Sequence, residues 1–317
     1  MNAVLTGVGL ALPGVATPKD LLAPVPDGAE PVDPAARIGK KKGLRFKDRA
    51  TQLALACANE ALTDAGLLGP EGLTVPGETV AVLVASNYGN VNTVCSVVDT
   101  IAADGATGGV SPMDTPNASS NVIASTLAIK YGLRGPNLMV CNGATSGLDA
   151  VRWAAALVGA RRADRALVLA VEPDNDMVRR LTGADRIVDG AAAVVVERRA
   201  AAAVRGAEVR AQVSSAVRAG SVEACLEQLA GDDRTPPAAW FGPGDGQGLT
   251  SSVLPSGTVH HALADAFGEA SAVLGVLQCA GTIGWYADGG AGPVYALAGG
   301  DGDDATAGLA LLAPGRS

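Results

Sequence analysis

Few side chains in this sequence are suited to chemistry, and the most suggestive stretch is GLRGPNLMVCNGATSGLDAVRWAAALV, residues 132 to 158. A short strand there enters a glycine-containing turn and passes directly into a helix. Such an elbow lifts one side chain onto a sharp bend, where the helix N-terminus supplies positive potential and free N–H groups. A cysteine held on that bend has a lowered pKa and attacks acyl carbon readily. Cys141 lies at the strand end, three residues before Ala144, and its side chain is expected to face the core or the back of the elbow. It reads first as a small buried hydrophobe, with a relocated nucleophile as the alternative. His260 and His261 are the only histidines, and the five cysteines (Cys57, Cys95, Cys141, Cys225 and Cys279) are widely spaced with no CxxC pair. No disulfide framework, metal site or zinc ligand set is expected, and reduced thiols of this kind point to a cytoplasmic protein. Glu172, Asp174 and Asp176 read as a solvated loop rather than a metal site. The run GPGDGQG, Gly242 to Gly248, lacks the Lys-Ser/Thr of a phosphate-binding loop and reads as a turn.

The elements that must position these residues alternate along the chain. Strands are expected at Ala3–Leu10, Thr79–Ser86, Asn137–Val140, Ala166–Val171, Ala191–Glu197, Val209–Ser214, Val294–Ala298 and Gly308–Leu312. Helices are expected at Asp48–Ala65, Asn117–Tyr131, Thr145–Gly159, Ser221–Ala230 and His261 to about Cys279. Strands alternating with covering helices imply an α/β protein with largely buried sheets. The 317 residues are 48% hydrophobic and 18% charged, which supports a large core and excludes disorder. A net charge of -8 with 3% aromatic residues argues against general nucleic-acid binding. No apolar stretch approaches the roughly 20 residues of a membrane span, and the N-terminus has no basic region of a signal peptide.

Several ordered motifs resemble the β-ketoacyl synthases, the condensing enzymes of fatty-acid and polyketide synthesis. They are VLTGVGLALP, FKDRATQLALACANEALTDAGL, VAVLVASNYG, SPMDTPNASSNVIAS, YGLRGPNLMV with ATSGLDA, DGAAAVVVE and AFGEASAVLGVL. The resemblance implies a thiolase-like fold, two similar βα halves in an α-β-α-β-α layered arrangement, with an N-terminal half at 1–200 and a shortened C-terminal half at 201–317. It is strong before residue 200 and patchy after. Matched without gaps, the family nucleophile falls on Ala144, because Thr145–Gly147 carry the TSG that follows it. The first family histidine falls near Phe241–Gly244, which reads FGPG. The second falls on Asp265, and His260 takes the place of a family lysine. The C-terminal Gly-Phe-Gly-Gly turn is eroded to AGGDGDDATAG. An alanine cannot carry an acyl group, and a carboxylate repels a developing enolate.

Most like this sequence are the chain-length factors, or ketosynthase β-subunits, which pair with an active ketosynthase and shape its acyl tunnel. The resemblance implies such a non-catalytic subunit in a heterodimer, with no cofactor of its own and substrates that arrive on the phosphopantetheine of an acyl carrier protein. It places Met113, Asp114, Pro116 and Asn117 at the tunnel and dimer interface, where Asn117 and Ser119 read alternatively as helix-start residues. Lys40, Lys41, Lys42 and Arg45 form a basic patch suited to docking an acidic carrier protein, or an ordinary solvated loop. The competing readings are an atypical condensing or acyl-transfer enzyme using Cys141, with Asp265 or His260 as base, and a homodimeric scaffold without a chain-length role.

Overall fold

The structure, a computed structural model, describes residues 2–26, 28–39, 44–231, 236–244, 253–300 and 302–315. The chain begins with strand β1 (Ala3–Ala11), all of it buried. Helix α1 (Arg49–Asp64) packs across it, capped by the Asp48 carboxylate on the Thr51 N–H at 2.6 Å. Gly9 allows this approach, since a Cβ there would lie 2.3 Å from the Cys57 carbonyl oxygen of α1. Then follow β2 (Val80–Ala85), α2 (Val91–Asp104), α3 (Val122–Tyr131), β3 (Asn137–Val140), α4 (Ser146–Gly159), β4 (Arg165–Glu172) and β5 (Gly190–Arg198). The later part supplies β6 (Ala211–Ala219), α5 (Val222–Ala230), β7 (Ala239–Phe241), β8 (Val259–His261), α6 (Val273–Ala287), β9 (Val294–Ala298) and β10 (Thr306–Leu312).

These strands repeat one topology twice. The first five are ordered β1-β5-β4-β2-β3 and the last five β6-β10-β9-β7-β8. In each set the first pairing and the second are antiparallel, and the remaining two are parallel. The two sets meet where β1 pairs antiparallel with β6 through Ala3–Val213, Val4–Gln212 and Leu5–Ala211, so the strands form one bent ten-stranded sheet. Helices α4 and α6 touch strands of both sets and form the central layer. Helices α1 and α3 cover the outer face of the first set, and α5 the outer face of the second. The α-β-α-β-α layering is therefore present, with the largest apolar cluster around α4 and α6 and separate clusters beneath α1 and α5. At the α4–α6 crossing two glycines face each other: a Cβ on Gly147 would lie 2.4 Å from the Ala272 carbonyl oxygen, and one on Gly275 2.4 Å from the Leu148 nitrogen.

Two expectations need correction, and one helix lies outside them. The segment His261–Cys279 is not one helix: β8 ends at His261, a short helix spans Leu263–Phe267, and α6 starts at Val273. Gly268 (φ +78°) and Ser271 (φ +41°) take left-handed conformations that a continuous helix excludes. Asn117–Tyr131 likewise divides into a 3₁₀ turn, Thr115–Ala118, and α3. Helix α2 was not foreseen; it has no buried residue although it carries Val91, Val94, Val97, Val98 and Ile101. No helix among the described residues is long and apolar enough to cross a membrane.

Candidate functional site

The elbow forms as its residue types dictate. Strand β3 ends at Val140, Gly143 turns the chain at φ +67°, a 3₁₀ turn covers Gly143–Thr145, and α4 starts at Ser146. The bend is held from both sides. Asn87, just after β2, accepts from the Gly143 N–H at 3.2 Å and donates through Nδ2 to the Gly143 carbonyl at 2.9 Å. The same amide group donates to the Ser271 hydroxyl at 2.7 Å, tying the elbow to the entrance of α6. Ser146 Oγ accepts from the Asn142 N–H at 2.7 Å and donates to the Gly143 carbonyl at 2.8 Å. On the other side, Asp149 is fully buried in the first turn of α4 and accepts from Thr145 Oγ1 at 2.9 Å, Asn142 Nδ2 at 3.1 Å and the Arg218 guanidinium of β6.

Glu172, at the end of β4, closes the floor of this arrangement. Its Oε1 accepts from the Asn87 N–H at 2.7 Å, and its Oε2 from the Tyr88 N–H at 3.0 Å and Ser86 Oγ at 3.2 Å; the Ala272 N–H also reaches the carboxyl. Burial outweighs these donors and pushes its pKa up to about 7. The sequence reading of Glu172 as part of a solvated loop is corrected: the side chain is fully buried. Asp174 pairs instead with Arg179, and no cluster of three His, Cys, Asp or Glu residues suited to a metal occurs among the described residues.

The expected site residues take different positions. Ala144 sits in the elbow turn itself, partly exposed. Cys141 is exposed, contrary to the expectation of a buried side chain, because the strand has already ended and the chain is turning outward. Its thiol is not activated. Partial burial and, second, the nearby Glu172 push its pKa upward, and no hydrogen bond to a base is made among the described residues. Asp265 belongs to another place: it lines a cavity of about 470 Å³ with Leu21–Val25, Arg186, His260 and His261 and without any elbow residue. The carboxylate beside α6 that shares surroundings with the elbow is Glu269, whose charge acts with Glu172 and Cys141 on Tyr88 and which accepts from the Ser271 N–H at 2.9 Å. Both histidine rings are held in aromatic contacts. His260 stacks on Trp240 at 4.1 Å, and His261 lies between Phe241, stacked at 4.9 Å, and the edge of Trp285 at 6.0 Å. Burial depresses the His261 pKa.

Elsewhere, Asn117 is buried and donates to the Phe46 carbonyl at 2.9 Å, whereas Met113, Asp114 and Pro116 are exposed. Arg45 lies 5.3 Å from the Phe46 ring; Lys40, Lys41 and Lys42 lie outside the described residues, as does GPGDGQG after Gly244. Asn87 and Glu269 were not foreseen. A polar loop after a strand and an acid before a helix are too common to signal a site.

The doubled layers and the elbow at the head of a central helix define a thiolase-like protein. A family description, the β-ketoacyl synthase N-terminal domain, matches residues 4–181, and the chain belongs to the β-ketoacyl synthase family. Among its relatives, the granaticin polyketide β-ketoacyl synthase 1 of Streptomyces violaceoruber is 30% identical over 269 residues, covering 67% of this chain and 62% of that protein. The 3-oxoacyl-[acyl-carrier-protein] synthase 2 of Vibrio harveyi is 28% identical over 198 residues, covering 55% of this chain and 47% of that protein. The chain thus spans between about half and under two thirds of the length of these relatives. Among solved structures, the ishigamide ketosynthase/chain length factor superimposes with a TM-score of 0.81 at 20% identity, covering 99% of this chain and 100% of that one. A type II polyketide synthase acyl-carrier protein complex with its ketosynthase, bound to the hexaketide, gives a chain with TM-score 0.80 at 16% identity, covering 98% of this chain and 99% of that one.

Proposed function

We propose that the chain is a non-condensing, chain-length-factor-like subunit that pairs with an active ketosynthase and shapes the tunnel for its growing acyl chain. The observation that carries this reading is the elbow. Its geometry is kept, but its turn holds Ala144 where the family nucleophile falls, and the ionisable groups held around it are carboxylates, a guanidinium, a thiol and a phenol (Glu172, Glu269, Asp149, Arg218, Cys141 and Tyr88), while both histidines are held in aromatic stacks. Such a site neither takes an acyl group at residue 144 nor stabilises an enolate. Met113, Asp114, Pro116 and Asn117 are assigned to the tunnel and interface. The partner is an active ketosynthase, and both act on substrates borne by an acyl carrier protein, for which Lys40, Lys41, Lys42 and Arg45 supply the docking charge; the chain itself needs no cofactor.

Surface features support a partner. Strand β3 is an open sheet edge, and on it and the flanking helices Ile129 (84% exposed), Leu138 (37%) and Trp153 (48%) are uncovered. A second reading, an acyltransferase using Cys141, draws on the exposure of that thiol. The raised thiol pKa and the missing base weigh against it. The test is co-expression with a candidate active ketosynthase, followed by native mass measurement. A 1:1 complex is expected, lost in Leu138→Lys/Trp153→Glu while the isolated variant keeps its thermal midpoint. A partner that condenses equally well without this chain would overturn the assignment.

A further inference from the structure

We draw no further inference here: the strongest candidate, the apolar groove of about 610 Å³ that Val91, Val94 and Val98 of α2 form with Met177 and Leu181 of the short helix Asp176–Thr182, carries none, since nothing in the structure shows what covers it.

Discussion

Glu172 makes the arrangement beneath the elbow sensitive to pH, and the size of the effect follows from its surroundings. The carboxyl is fully buried, and its pKa rises from an ordinary 4.5 to about 7 because burial outweighs the N–H groups of Asn87, Tyr88 and Ala272 and the Ser86 hydroxyl. In the unfolded chain it releases its proton near 4.5. Between that pH and about 7 the folded state therefore holds more protons than the unfolded one, and stability falls as pH rises. The sign is opposite to that of a salt-bridged carboxylate. The interval corresponds to about 3 kcal/mol, lost progressively from pH 4.5 to 7 and constant above. Glu172→Gln removes the titration. Its own effect on stability is a fixed offset, so the informative quantity is the difference in slope between wild type and variant. Urea melts at pH 5, 6, 7 and 8 should show the wild type losing about 3 kcal/mol relative to the variant, or roughly 6 °C in thermal midpoint for a chain of this size. Parallel pH profiles for the two proteins would refute the account of Glu172 as a buried acid.

Three other outcomes follow from named contacts. Arg218→Ala leaves the buried Asp149 carboxylate with only Arg152, 3.4 Å away, as a cationic partner and should cost about 3 kcal/mol in a urea melt. Gly147→Ala drives a methyl group into the Ala272 backbone at the α4–α6 crossing and should cost about 3 kcal/mol or prevent folding, whereas Gly159→Ala, where a Cβ meets nothing, should be tolerated. Ala144→Cys should give a thiol that alkylating reagents reach, yet no condensation with malonyl substrates, because no imidazole stands beside it.

Val294–Ala298 is legible because burial on both faces leaves a continuous apolar run, and Asn137–Val140, an exposed edge strand, is marked by the glycine and proline before it and the glycine turn after it; both match the structure to the residue. Helices α1 and α5 announced themselves through an acidic or hydroxyl cap and an apolar stripe. Other features carried no such mark. Helix α2 has no fully buried residue, so no core stripe identifies it, and its β-branched residues suit a strand as well as a helix. The break before α6 depends on a left-handed Ser271, a conformation that no residue type there foretells. The duplicated topology is implied by the family resemblance and leaves no sequence repeat, because the two halves share strand order and not side chains. At the elbow, the strand–glycine turn–helix pattern locates the turn, and the family resemblance places the nucleophile position on Ala144. The role of Glu172 was out of reach, since the donors to its carboxyl come from residues 86–88 and 272. Asp265 follows from matching AFGEASAV to the family's glycine- and alanine-rich helix; in the structure that segment is broken before α6, and Asp265 lines a different cavity.

The central claim is that this chain takes part in acyl-chain elongation without carrying the acyl group. Intact-protein mass after incubation with acyl- and malonyl-carrier protein, alone and with an active ketosynthase partner, tests it most directly. The account predicts an unchanged mass for this chain in both mixtures and an acyl adduct on the partner bound to it. An adduct on this chain that disappears in Cys141→Ser would contradict the claim and make the protein an acyltransferase in its own right.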